Sequence, residues 1–290
     1  AQQAIAVSDK VMLTALRGLH EAGVYSIGVS FGLTQKLFLS AFEYAWAPFY
    51  YANAREPGAK QLYSTMTTYG LAVLALMTAG LSAIAYDLLA LATHQQAEYY
   101  VVAAGVVTWI SVGVLFQGAY LLTSIGLNIT GHSKFYPVAT LTAATSNIAM
   151  NLVLIPRFGM IGAAWANAIA YGLQAVIAYH FSQRFYPIEY ERGRIALIAV
   201  AALGSCFAAR QLPDMAPLAG VLARGTTVVV LYASLLGVFG FLRRDELEAL
   251  SKLRRKRSEP RESPGPEVTE LGGEIVAADM GAEGVMKERP

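Results

Sequence analysis

Charged side chains are scarce in this sequence. Asp, Glu, Lys and Arg together make up 14 % of its 290 residues, whereas 55 % of the residues are hydrophobic. No Lys or Arg occurs between Gln61 and Ser133. A water-soluble chain cannot cover its surface with so few charges. The scarcity therefore excludes an ordinary soluble protein, and nucleic-acid binding has no support beyond one basic segment near the end of the chain.

Clustered metal ligands and catalytic motifs are also missing. The single cysteine, Cys206, lies in an apolar run and cannot form an internal disulfide. The four histidines are far apart and lack the spacing of a metal site. The sequence contains no Gly-rich phosphate loop, Ser-His-Asp set or paired acidic motif. It therefore predicts a protein that is not an enzyme and has no metal and no cofactor.

Long apolar runs fill most of the chain. A run of 18 or more apolar residues is long enough to cross the bilayer core as a helix. We predict a short first helix and seven spans, at residues 1–16, 24–50, 66–91, 99–127, 135–155, 160–181, 195–212 and 218–242. The fold class is therefore all-α, a polytopic transmembrane bundle of about eight helices that occupies residues 1–242.

Basic residues between the spans predict the orientation in the membrane. One set of loops holds most of the Lys and Arg, among them Arg55, Lys134 and Arg184. Because positive charge accumulates in cytoplasmic loops, we expect a multi-pass inner-membrane protein with a cytoplasmic C-terminus. Residues 243–257 contain seven Lys and Arg and predict a basic juxtamembrane helix at the anionic inner leaflet. Residues 258–290, rich in Pro, Gly and acidic side chains, predict a disordered tail.

Ionisable side chains inside a predicted span are costly in lipid and so indicate a site or a partner. Lys36 lies near the middle of span 24–50, and Glu43 lies two helical turns further on the same face. Ser40 lies between them, and Tyr25 extends the stripe. One interpretation is a wet cavity in which Lys36 meets an anionic substrate. The other is that Lys36 and Glu43 neutralise each other and only hold helices together.

Two aspartates are candidates for a cation-coupling site, with Glu43 as a third. Asp9 belongs to the short first helix, and Asp87 lies near the outer end of its span. A carboxylate at either position can bind the ion that drives a transporter. For Asp87, a place at the membrane interface is the simpler explanation.

Amide side chains are concentrated in the two spans that flank the turn at residues 156–159. Asn147 and Asn151 share one face of span 135–155, and Asn167 and Gln174 share one face of span 160–181. The simpler interpretation is hydrogen bonding between helices, worth about 0.6 kcal/mol per contact. The functional interpretation is a surface that holds the hydroxyl groups of a sugar.

The order of motifs along the chain resembles a known family. The residues that carry the resemblance are the N-I-T-G-H-S-K segment 128–134 with Tyr136-Pro137, the Asn-rich run 147–151, Leu154-Ile155-Pro156, the segment 159–164, and Asp9-Lys10 followed by Gly23-Val24-Tyr25. Over roughly residues 8–242 the chain is similar to the C-terminal half of polysaccharide-biosynthesis flippases. These proteins belong to the multidrug/oligosaccharidyl-lipid/polysaccharide exporter superfamily.

The resemblance implies a two-lobed transporter of which this chain is the second lobe. A central cavity would then carry a polyprenyl-pyrophosphate-linked oligosaccharide from the inner to the outer leaflet, with Lys36 near the pyrophosphate. The implied partners are the missing N-terminal lobe, this lipid-linked substrate, and other polysaccharide assembly proteins. The alternatives are a cation-coupled multidrug exporter of the same fold and a non-transporting membrane scaffold. A membrane glycosyl ligase or polymerase is disfavoured because no sizeable outer loop is present.

Overall fold

The structure is a computed structural model that describes residues 2–92 and 97–241, without the side chains of residues 2–7 and 97–101. The segment Ala1–Phe241 is one compact unit. The predicted basic helix at 243–257 and the predicted disordered tail at 258–290 lie outside the described residues.

Within the described residues the regular secondary structure is helical throughout. The helices in chain order are α1 (Gln2–Arg17), α2 (Leu19–Gly32), α3 (Thr34–Asn53), α4 (Ala59–Ala92), α5 (Ala97–Thr123), α6 (Ile125–Ile129), α7 (Phe135–Phe185), α8 (Arg192–Arg210) and α9 (Pro217–Val238). Five helical stretches, namely α4, α5 with α6, α7, α8 and α9, are long and apolar enough to cross a membrane. The predicted fold class, an all-α multi-pass membrane bundle, is confirmed.

Helix α7 consists of two antiparallel arms that meet at Gly159. This residue has φ 58° and ψ −136°, a backbone conformation that residues other than glycine rarely adopt. The arms, 135–158 and 160–185, approach so closely that a Cβ on Gly162 would collide with the carbonyl oxygen of Leu154. The hairpin predicted from the two apolar runs is therefore present, and it brings the amide-bearing faces of both arms near each other.

The prediction of one continuous span at 24–50 is wrong, because the helix is interrupted at Leu33. The hydroxyl of Thr34 donates to the Phe31 carbonyl at 2.7 Å. The Lys36 N–H bonds to the Leu33 carbonyl, three residues back, at 2.9 Å. Both bonds tighten the turn and break the regular α-helical ladder. With α2–α3 taken as one interrupted rod, α5–α6 as another and α7 as two arms, the described residues form eight rods, the number predicted.

The rods pack in two groups that share α4 and α5. Helices α2 and α7 lie against α5, and α1 lies against α2 and α7, whereas α8 and α9 lie against α4. Glycines permit the closest approach: a Cβ on Gly28 or Gly32 would lie 2.8 Å from side-chain atoms of Val106 or Ile110 on α5. The first group surrounds the polar side chains of α1, α2, α3, α5 and α7, and these side chains form the candidate site.

Candidate functional site

Asp9 lies at the centre of a buried polar cluster, with only 1 % of its surface exposed. The Asn151 amide donates to one carboxylate oxygen at 2.6 Å. The Asn167 amide and the Tyr25 hydroxyl donate to the other, at 3.1 and 3.3 Å. These donors belong to the first arm of α7, the second arm of α7, and α2. One carboxylate on α1 therefore connects three neighbouring rods.

The charge of Asp9 is not balanced by a cation. Its three donors are neutral, and none of the described Lys, Arg or His side chains forms an ion pair with it. Burying a carboxylate in this way is costly even when it is hydrogen-bonded. The carbonyl oxygen of the Asn151 side chain is also buried, without a hydrogen-bond partner. Carboxylate and amide oxygens are ligands that hard cations prefer, so the cluster is suited to a proton or a small cation.

A cavity of about 190 Å³ lies beside this cluster. Its polar lining consists of Asp9, Tyr25, Lys36, Gln117, Asn167 and Tyr171, and the remaining lining is aliphatic. Lys36 is half-buried, and its amine has no hydrogen bond or ion pair with the described residues. Two opposite charges therefore face one cavity without being bonded to each other.

A second, smaller cavity of about 60 Å³ continues from Lys36 toward Glu43. Ser40 and Tyr120 also line it, and Lys36 and Gln117 line both cavities. Glu43 is exposed and forms no ion pair with Lys36 in the described part of the chain. Lys36, Ser40 and Glu43 thus line one path, as their helical spacing suggests, and Lys36 lies where the two cavities meet.

The remaining amide candidates divide into two groups. Asn147 is fully buried and belongs to the Asp9 cluster, because its side-chain oxygen accepts a hydrogen bond from Asn151 at 3.2 Å. Gln174 lies apart from the carboxylate. Its amide donates to the Thr140 hydroxyl at 3.2 Å, across the two arms of α7. Three of the four predicted amides therefore surround Asp9, and the fourth joins the arms.

Asp87 is located elsewhere in the bundle and has a different partner. It is 2 % exposed and forms an ion pair with Arg224 of α9. The pair is tightly enclosed, since a Cβ on Gly220 would lie 2.5 Å from an Asp87 carboxylate oxygen. Asp87 lines neither cavity described above. Its charge is satisfied within the protein.

Two further residues build the site although their positions in the sequence did not indicate it. Gln117 is a single amide in an otherwise apolar run, and nothing else in the sequence indicated a role for it. Arg17 donates to the carbonyl oxygens of Ile155 and Pro156, at 3.2 and 2.7 Å. These carbonyls lie at the end of the first arm of α7, so Arg17 fastens α1 to the arm that carries Asn151.

Comparison with known proteins relates the chain to flippases. No family model matches it. A curated relative, the probable low-salt glycan biosynthesis flippase Agl15 of Haloferax volcanii, is 25 % identical over 89 residues, which are 31 % of this chain and 19 % of the relative. The solved structure of the lipid II flippase MurJ in an inward closed conformation matches with a TM-score of 0.58 at 14 % identity.

The MurJ match covers 80 % of this chain and 52 % of MurJ, so the chain spans about half the length of that protein. At this identity the match shows the fold, which is the MurJ-like flippase fold. The sequence resemblance to a flippase-type protein is confirmed at this level.

Proposed function

We propose that this chain is one lobe of a flippase that moves a polyprenyl-pyrophosphate-linked oligosaccharide across the cytoplasmic membrane. The observation that carries the proposal is the pair of unbonded opposite charges, Asp9 and Lys36, that face one cavity inside a MurJ-like fold. A lipid-linked substrate of this class is anionic, and a half-buried lysine without a carboxylate partner is suited to hold its phosphates.

Asp9 serves in this proposal as the site of the coupling ion. A cation that neutralises the carboxylate stabilises the arrangement in which α1, α2 and both arms of α7 meet around it. Loss of the cation leaves a buried, unbalanced charge and favours a different arrangement of the same rods. An ion gradient can then drive alternating access of the central cavity.

The substrate occupies the path from Lys36 to Glu43 in this proposal. Lys36 contacts the pyrophosphate, while Ser40, Glu43, Gln117 and Tyr120 offer hydrogen bonds to sugar hydroxyls. The two cavities, of about 190 and 60 Å³, are smaller than typical ligand pockets of roughly 300–1,000 Å³. The proposal therefore requires a wider state, with a further lobe completing the cavity, as the half-length match to MurJ suggests.

The proposed setting is the cytoplasmic (inner) membrane, with the C-terminus in the cytoplasm. The basic segment 243–257 then lies against the anionic inner leaflet. Other polysaccharide assembly proteins supply the substrate or receive it. The unbalanced carboxylate of Asp9 also favours a second candidate, a cation-coupled multidrug exporter, because such a transporter needs the same ion site.

Replacement of Lys36 distinguishes the two candidates. In the full-length protein, Lys36→Ala should reduce the appearance of lipid-linked oligosaccharide in the outer leaflet at least about tenfold, because a charge-assisted contact to phosphate is lost. Lys36→Arg should retain a measurable part of the transport. Lys10→Ala, an exposed lysine of α1, is the control and should transport normally.

Unchanged transport by Lys36→Ala at equal expression would contradict the assignment of Lys36. A loss of drug resistance in cells without the gene, with unchanged surface polysaccharide, would favour the exporter instead.

A further inference from the structure

A third cavity, separate from the proposed transport path, contains two arginines. It is a cleft of about 600 Å³, bordered by α4, α5, the end of α8 and the beginning of α9. This volume lies within the range of roughly 300–1,000 Å³ that is typical of ligand pockets. The cleft shares no lining residue with the cavities beside Asp9 and Glu43. It therefore requires its own explanation.

One of its arginines, Arg224, is already neutralised. Arg224 is buried and forms ion pairs with Asp87 and, at 3.5 Å, with the exposed Asp214. Its second terminal nitrogen also points toward the carbonyl oxygens of Leu212 and Pro213. Asp87 and Asp214 thus both pair with the Arg224 guanidinium, which holds the α8–α9 connection against α4.

Arg210, the last residue of α8, is the other arginine of the cleft, and it has no carboxylate partner among the described residues. One terminal nitrogen donates to the carbonyl oxygen of Ser82 at 2.8 Å and to the hydroxyl of Thr108 at 3.0 Å. These bonds fix the guanidinium between α4 and α5 while using a single nitrogen. The other two nitrogens, Nε and Nη1, have no hydrogen bond or ion pair with the described residues. An oriented cation with free donors lies at the edge of the cleft.

The aromatic lining indicates the surroundings of this cation. Trp109 and Tyr86 both line the cleft and are 39 % and 40 % exposed. Trp109 is held in place by an edge-on contact with Trp165, with 6.0 Å between ring centroids. Tyr86 lies near the end of α4, where an exposed Tyr is typical of the level of the lipid headgroups, and Trp109 lies deeper, inside the apolar stretch Val102–Ile129. The two half-exposed rings beside a cation favour a lipid as the ligand.

We propose that this cleft binds the phosphate group of a membrane lipid, with Arg210 as its charged anchor. A phosphate oxygen accepts a charge-assisted hydrogen bond from a guanidinium N–H, and the free Nε–H and Nη1–H groups of Arg210 can each donate one. Trp109 and Tyr86 border the adjoining glycerol and upper acyl region. The proposal does not depend on the transport activity, and two sources share the ligand chemistry: an ordinary phospholipid and a polyprenyl pyrophosphate.

The test measures lipid binding to the purified full-length protein by native mass spectrometry. The probes are phosphatidylglycerol, polyprenyl pyrophosphate, and a diacylglycerol with the same acyl chains as the phospholipid. Arg210→Ala should weaken binding of a phosphorylated lipid about tenfold, because a charge-assisted contact is lost. Binding of the diacylglycerol, which lacks phosphate, should not change. Arg157→Ala, which removes another exposed arginine, is the control and should bind all three lipids normally.

Arg210→Gln provides a second variant that does not depend on the folding of the alanine variant. Its amide can still donate a hydrogen bond but carries no charge, so it should show the same selective loss. A phosphatidylglycerol effect identifies ordinary phospholipid as the source, and an effect confined to polyprenyl pyrophosphate identifies the carrier lipid. Equal affinities in wild type and both Arg210 variants, or an equal loss in Arg157→Ala, would overturn the proposal.

Discussion

The bundle buries two aspartates to almost the same degree but balances their charges differently. Asp87 is 2 % exposed and is paired with Arg224, whereas Asp9 is 1 % exposed and, among the described residues, accepts hydrogen bonds from neutral donors. A paired charge enclosed by its surroundings stabilises one arrangement of helices. An unbalanced charge beside a cavity responds to whatever neutralises it. The contrast assigns a structural role to Asp87 and makes Asp9 the candidate for ion coupling.

The largest predicted effect follows from breaking the Asp87 pair. Asp87→Ala leaves the buried Arg224 guanidinium without its main partner and should destabilise the protein by about 3–5 kcal/mol. Thermal unfolding of the purified full-length protein in detergent measures the change. Asp214→Ala removes only the exposed partner and should have little effect. A melting temperature for Asp87→Ala equal to that of wild type would contradict the structural role.

Asp9→Asn should have the opposite combination of effects. The amide removes an unbalanced buried charge at nearly constant volume, so stability should stay within about 1 kcal/mol of wild type or increase. Transport of the lipid-linked substrate should nevertheless be abolished, because the coupling ion has no charge to bind. Outer-leaflet substrate and melting temperature are measured on the same preparation. A variant that transports normally would remove Asp9 from the mechanism.

Loosening the support of the Asp9 cluster should produce an intermediate effect. Arg17→Ala removes two hydrogen bonds to the end of the first α7 arm. Because Arg17 is exposed, the stability cost should be only about 1 kcal/mol. The arm that carries Asn151 becomes less firmly held, so cation affinity should fall several-fold, as measured by titration. An unchanged affinity would show that Arg17 does not position the cluster.

The smallest effect is expected at Gln174, which joins the arms of α7 without contacting Asp9. Gln174→Leu removes its hydrogen bond to Thr140 and should change stability by about 0.6 kcal/mol, the average for a contact between membrane helices. Cation affinity should be the same as in wild type. Asn167→Leu is the matched variant in the same arm, and it should weaken cation binding because Asn167 donates to Asp9.

The all-α fold class and the number of rods were predictable because they depend mainly on the lengths of the apolar runs. The turn at Gly159 was also predictable, since two apolar runs met at a Pro-x-x-Gly segment. The interruption at Leu33 was not, because it depends on a local competition in which the Thr34 hydroxyl bonds to the Phe31 carbonyl. The hydrophobic periodicity of the sequence does not reveal such a bond between a side chain and the backbone.

The candidate site was predictable as a set of polar residues but not as an arrangement. The sequence made both Asp9 and Asp87 candidates for ion coupling and indicated a membrane-interface position for Asp87. It did not indicate the partner Arg224, which is 137 positions from Asp87. The two amide donors of Asp9 are similarly distant, with Asn151 lying 142 and Asn167 lying 158 positions away. Only the packing of α1 against both arms of α7 brings the amides to the carboxylate. Gln117 was not predictable as a site residue, because a single amide in an apolar run more often forms a contact between helices.

The most direct test of ion coupling at Asp9 compares cation binding to wild type and to Asp9→Asn. The full-length protein is titrated with Na⁺ against a large organic cation as control, and its melting temperature is followed at constant ionic strength. A ligand at about 100 times its dissociation constant stabilises a protein by about 2.7 kcal/mol. We expect a Na⁺-specific increase of the melting temperature in wild type that is absent in Asp9→Asn. An equal Na⁺-specific increase in both proteins would show that Asp9 does not bind the cation.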